Sequence, residues 1–195
     1  MVTVNKRLLF GSLAVAAAII VAVSLVAANR EDPGAATTTD AVTLTSSNDL
    51  SPTIGTNAAV TGRAFPKVNV QTLAGDTFAT ADLVGRPLVV NFWYSTCTPC
   101  RRELPAFAAV QAKLGDTVRF VGVDSLPPSA HEEAFARDRG VQYELLYDTN
   151  GQLTSAVGVV AFPQTLFIDA AGKIVEQTGE LTAERLEQLI RTKLL

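Results

Sequence analysis

The sequence predicts an α/β domain whose mixed central sheet is covered by helices on both faces, carried behind an apolar N-terminal helix. Three observations lead there. Two valine-containing, largely apolar runs, Leu88–Trp93 and Val118–Val123, are each followed by a segment with helical apolar or capping signals. The chain then closes with two strand-like segments around a tight turn and a last amphipathic helix. Ahead of all this lies an uncharged stretch followed by a polar tract. Strand–helix–strand order predicts parallel neighbours, and a terminal hairpin adds antiparallel ones.

The uncharged stretch is Leu8–Ala28, rich in Ala, Val, Leu and Ile. As a helix it would span roughly 31 Å at about 1.5 Å per residue, the thickness of a bilayer core. Lys6 and Arg7 precede it, so the positive-inside rule leaves the N-terminus in the cytoplasm and everything after Ala28 outside. The stretch exceeds the apolar core of a signal peptide, about 7–15 residues, which favours an uncleaved single-pass anchor in the cell membrane. Val26-Ala27-Ala28 would serve as a cleavage site if the segment were processed, and the protein would then be secreted. No cysteine lies nearby to carry a lipid.

From 29 to 60 the composition turns to Thr, Ser, Ala, Asn and Asp without aromatic residues. Such a tract buries too little apolar surface to offset its ordering entropy, and reads as a flexible linker, with Ala41–Thr45 a candidate extra strand. The expected organisation is anchor over 1–28, linker over 29–60 and folded domain over 61–195.

Within the domain, Val68–Thr72 alternates and Thr77-Phe78 returns after Ala74-Gly75-Asp76, a hairpin. Leu88–Trp93, bounded by Gly85-Arg86-Pro87, has the length and composition of a buried central strand. Leu104, Phe107, Ala108, Val110 and Leu114 then recur at helical spacing up to Gly115. After Val118–Val123, Ser129 with Glu132 three residues on forms a capping box opening a helix that ends at Gly140. A short strand follows near Leu145-Leu146, then a helical turn over Gln152–Val157. Thr165–Asp169 and Lys173–Gln177 flank Ala170-Ala171-Gly172, and Thr182 caps the last helix.

The chemistry concentrates in Cys97-Thr98-Pro99-Cys100, the only two cysteines of the chain, set between the central strand and its helix. A helix N-terminus stabilises the thiolate that thiol–disulfide exchange requires. The first cysteine would sit exposed at the helix start and attack, and the second, one turn inside, would resolve the mixed disulfide. Pro99 suits the first turn, where no N–H bond is lost. Arg101 and Arg102 would add positive potential. A purely structural bridge of this span would contribute about 2 kcal/mol at best. Zinc needs four ligands, and only His131 remains beside the pair, so no metal site and no cofactor are expected. The formal charge of −3 gives no basic patch, so nucleic acid is not an expected partner.

Asn91–Pro105, taken with Val157-Gly158-Val159 and Phe162–Asp169, resembles the TlpA/ResA-like branch of the thioredoxin superfamily, over about Arg63 to Leu195. The resemblance implies a thioredoxin-like fold and a membrane-anchored, extracytoplasmic thiol–disulfide oxidoreductase. It implies protein disulfides or dithiols as substrates, a membrane electron donor of the thiol-carrier type, and a place in cytochrome c maturation. It further implies a cis Phe162–Pro163 peptide facing the cysteines, so that Thr96, Pro99, Phe162 and Pro163 form the surface that meets substrate. Glu103 matches an acidic residue of the ResA branch that tunes the cysteines. Its spacing puts it on the face of Cys100, where it is either a partly buried proton acceptor or a surface glutamate favoured by the helix dipole. Thioredoxin carries an aspartate where this chain has Asn91, which cannot titrate.

Thr96 stands where the family usually has Trp, and Phe162 precedes the proline; both leave potential and partner choice open. Trp93 is equally a core or a site residue. Three further readings stand beside the reductase: an oxidase or isomerase running the same exchange the other way, a copper carrier using two thiolates, and a thiol peroxidase. Tyr94 stands where a peroxidase of this fold has Thr or Ser, against the last of these.

Overall fold

A computed structural model describes residues 56–195. The expected anchor, the candidate strand Ala41–Thr45 and most of the expected linker lie outside the described residues, among which no helix is long and apolar enough to cross a membrane.

The strand Leu88–Trp93, apolar but for Asn91, is buried at every residue. It is β3 of a sheet that starts with the hairpin β1 (Asn69–Gln71) and β2 (Thr77–Ala79). A 3-10 turn, Thr80–Leu83, leads into it. Helix α1 (Thr98–Leu114) follows, then β4 (Arg119–Asp124), α2 (Ala130–Arg137), β5 (Glu144–Tyr147) and the short α3 (Gln152–Ala156). The antiparallel pair β6 (Gln164–Ile168) and β7 (Ile174–Thr178) precedes α4 (Ala183–Lys193). The sheet order is β2-β1-β5-β4-β3-β6-β7. β3 runs parallel to β4, with Val90 beside Val121, and antiparallel to β6, with Val90 beside Leu166. The sheet is therefore mixed, and the sequence-predicted elements occupy it in the expected order.

Alternation along β3 divides the core. Val89 and Trp93 join Leu104, Phe107 and Val110 of α1, Ala136 of α2 and Leu186, Leu189 and Ile190 of α4. Val90 and Phe92 join Leu153 of α3, Leu83 of the 3-10 turn and Val60 from the N-terminal side. Helices thus cover both faces. Gly122 in β4 makes room for the first cluster: a Cβ there would lie 3.0 Å from the Trp93 indole nitrogen and 2.8 Å from a Leu145 methyl. Trp93 is fully buried and stacked on Phe135 at 6.1 Å, which makes it a core residue. Helix α1 continues through Pro105, which stands inside it, and Gly115 caps its end.

Candidate active site

β3 ends on Trp93, and Tyr94-Ser95-Thr96 carries the chain to Cys97, the N-cap of α1. Cys97 is extended, and its sulfur accepts the Cys100 N–H at 3.3 Å, satisfying one of the otherwise unpaired donors of the first turn. The two cysteines form a disulfide, with Cα atoms 5.3 Å apart. Pro99 occupies the first turn as expected. One expectation is corrected. Cys97 is not exposed: it retains 4% of its surface and Cys100 none. Both belong to the apolar cluster beneath α1, and Tyr94 and Phe162 pack against that cluster from outside.

The positive charges expected beside the pair are partly spent elsewhere. Arg102 donates two hydrogen bonds of 2.8 Å to Glu180, so the charges offset. The Arg101 guanidinium lies 5.3 Å from the centre of the Phe135 ring.

Glu103 is not a surface residue; it is 1% exposed. One carboxylate oxygen accepts the Asn91 amide at 2.8 Å, the other the Leu181 backbone N–H at 3.1 Å. Burial pushes its pKa up to about 7 against the pull of these two bonds, and the charge of Glu180 adds to the rise. Asn91 also donates to the Thr165 hydroxyl at 3.2 Å, joining the centre of β3 to β6.

The loop before Cys97 is held from α2. Glu132 accepts both the Ser95 N–H at 3.0 Å and the Ser95 hydroxyl at 2.5 Å. Only half of the expected capping box exists. The Ser129 hydroxyl accepts the Glu132 N–H at 3.1 Å, while the Glu132 carboxylate turns inward to Ser95. A buried carboxylate with two donors in reach is better solvated there than by one backbone N–H at the helix start. Asp124 lies alongside. Burial pushes its pKa up to about 8, with the neighbouring Glu132 contributing and a bond from the Leu126 N–H opposing.

The Phe162–Pro163 peptide bond is cis. The β3–β6 register pairs Phe92 with Gln164, which brings the residues before Gln164 beside the Tyr94–Cys97 turn. The Phe162 ring meets Tyr94 edge-on at 5.1 Å. Thr96 is exposed and Pro99 half-buried. Val160, 64% exposed, adds an apolar side chain that the sequence reading did not single out. His131 is exposed on α2. Two further residues serve the site without a local sequence signal: Glu132, whose spacing marks only a helix cap, and Asn57, which lies in the polar tract.

A cysteine pair closed across the first turn of a helix, with a buried carboxyl three residues on, can cycle between dithiol and disulfide. The comparisons agree with this chemistry. Residues 61–177 match the model of the AhpC/TSA family. The Thiol:disulfide interchange protein DsbE homolog of Paracoccus denitrificans is 34% identical over 131 residues, covering 65% of this chain and 71% of that one. The Thioredoxin-like protein YneN of Bacillus subtilis is 29% identical over 131 residues, covering 65% and 76%. Among solved structures, MTB dsbF in its mixed oxidized and reduced forms superposes with a TM-score of 0.59 at 28% identity, covering 65% of this chain and 94% of that one. Similar to such proteins in sequence and fold, the chain belongs to the AhpC/TSA family and is a thiol–disulfide oxidoreductase of the ResA and DsbE type.

Proposed function

We propose that the chain is an extracytoplasmic dithiol reductase, anchored through Leu8–Ala28 with its N-terminus in the cytoplasm, and that it serves cytochrome c maturation. Residues 1–28 form the anchor and 29–56 the linker; the catalytic domain begins at Asn57 rather than at 61, since Asn57 bonds to Val160 and Ala161 and Val60 is buried in the core. The anchor rests on the uncharged stretch behind Lys6 and Arg7. The direction rests chiefly on one observation, the burial of Glu103 on the face of α1 that carries Cys100. An acidic group there, with Arg102 already paired to Glu180, works against thiolate stabilisation. Strong oxidants of this fold owe their potential to a stabilised reduced form, so a carboxyl that weakens this stabilisation favours a reductant.

In the reaction, the Cys97 thiolate attacks a substrate disulfide. A Cys97–substrate bond forms and one substrate thiolate leaves. Glu103 takes the proton of the Cys100 thiol, and the resulting thiolate attacks Cys97 Sγ. The Cys97–Cys100 disulfide forms and the second substrate thiolate leaves, so the substrate gains two electrons and the pair loses them. Thr96, Pro99 and Phe162 form the surface on which the substrate segment lies, over the buried Pro163. A membrane thiol carrier returns the electrons, because the compartment itself is oxidising.

The test is the reduction potential of the full chain in detergent, equilibrated against glutathione or dithiothreitol buffers. A value near −270 mV, about that of thioredoxin, supports the reductase. A value near −120 mV, about that of a strong oxidant, overturns it in favour of disulfide formation. Failure to form the Cys97–Cys100 bond would bring the copper carrier forward, although among the described residues no group of three or more His, Cys, Asp or Glu side chains is placed to hold a metal.

A further inference from the structure

We propose that Asn57 is a positioning residue of the redox site, fixing the Val160–Gln164 segment against which substrate docks; this rests on the substrate surface proposed above. One side chain makes four bonds to this segment. Asn57 Oδ1 accepts the Val160 N–H at 2.7 Å and the Ala161 N–H at 2.8 Å. Asn57 Nδ2 donates to the Ala161 carbonyl at 2.9 Å and to Gln164 Oε1. That uses both lone pairs and both protons of the amide, the full capacity of an asparagine.

These bonds replace a strand partner. Val160 and Ala161 lie before β6 begins, outside its ladder with β3, and Val160 is largely exposed. Backbone groups in such a loop otherwise pair with water and sample many conformations. Here two consecutive N–H groups and a carbonyl converge on one amide. The next residue, Phe162, meets Tyr94 of the Cys97 turn.

The residues around Asn57 hold it in place. The Ala58 N–H donates to the Gly158 carbonyl at 3.0 Å, and Gln177 donates to the Ala58 carbonyl at 3.0 Å and accepts the Val60 N–H at 2.5 Å. Val60 is buried in the core. Gly158 has φ +64°, and any Cβ there would collide with Ala58. The 57–60 segment thus lies tightly along the segment that leads into the site. No shorter, longer or acceptor-only side chain reproduces the set: Asp would set a carboxylate oxygen against the Ala161 carbonyl, and Ser reaches at most part of it.

A segment fixed before substrate arrives need not be ordered at binding, which lowers the cost of association without touching the sulfur chemistry. The test uses the full chain in detergent, kept reduced with dithiothreitol, and two probes: a synthetic disulfide-bonded peptide and hydroxyethyl disulfide. For Asn57→Ala, KM for the peptide should rise about tenfold, the scale of ordering a short loop on binding, with kcat nearly unchanged. Turnover of hydroxyethyl disulfide and the potential of the pair should stay within about twofold and within error, since neither depends on the docked segment. Leu189→Ala, a core truncation in α4, serves as the control for lost stability and should leave the peptide KM unchanged. In hydrogen exchange, the Val160 and Ala161 amides should be protected in the parent and fast in Asn57→Ala and Asn57→Ser. Equal losses on both probes, the same KM shift in Leu189→Ala, or unprotected Val160 and Ala161 amides in the parent would overturn the proposal. A parent chain that reduces neither probe would instead overturn the exchange chemistry on which it rests.

Discussion

The Glu103 carboxylate takes the Asn91 amide at 2.8 Å inside the core, so the group that shares a helix face with Cys100 is anchored to the centre of the sheet. Its proton affinity follows from that burial and makes stability pH-dependent. The folded-state pKa of about 7 lies above the ordinary 4.5, so the native state holds this proton more tightly than the unfolded chain. The contribution is fully present below 4.5 and is lost as pH rises through about 7. Glu103→Gln should flatten this part of the profile, leaving the variant more stable relative to the parent at pH 8 than at pH 4. Urea unfolding of both proteins across that range measures it.

Glu132 is predicted to matter more for stability than a first-turn glutamate of α2 would. Glu132→Ala strands the Ser95 N–H and hydroxyl in a buried site and should cost about 2–3 kcal/mol, the scale of unpaired buried donors. Ser95→Ala removes one donor together with part of the need for it, and should cost about 1 kcal/mol. Equal effects within error would show that the carboxylate does not hold the loop. Denaturant midpoints at fixed pH decide between them.

Gly122→Ala should destabilise by about 1–3 kcal/mol through overpacking, because its methyl meets the Trp93 indole and a Leu145 methyl at once. Pairing the change with Leu145→Val should recover part of the loss. Thermal unfolding of the single and double variants tests the coupling.

The order of attack gives a covalent signature. Cys100→Ser should accumulate a mixed disulfide through Cys97 on incubation with an oxidised peptide, releasable by dithiothreitol, whereas Cys97→Ser should accumulate none. Mass spectrometry of the intact chain reads both. Adducts on Cys100 in Cys97→Ser, formed as fast, would reverse the assigned roles.

Where local pattern sufficed, the sequence was a good guide. Leu88–Trp93 is bounded by Pro87 and filled with apolar residues but for Asn91, and it is a buried interior strand residue for residue, beside the middle strand β4. Thr182 and Ser129 stand before helical spacing, and both accept the capping N–H. What escaped detection depends on which distant group a polar side chain meets. Glu132 has the spacing of a capping box, yet its carboxylate serves a residue 37 positions earlier. Asn57 sits in a polar tract with no period, and nothing local marks it as bonded across 103 positions to Val160. The Tyr94–Phe162 contact against the cluster that holds Cys97 forms only once β3 and β6 are side by side.

Trp93 shares its buried cluster with both cysteines, and the chain has no other tryptophan. Indole emission responds to its surroundings, so opening the Cys97–Cys100 bond within the same cluster should change the emission of the protein. The molecule then carries its own optical gauge of electron occupancy, legible in a stopped-flow cuvette without any added dye.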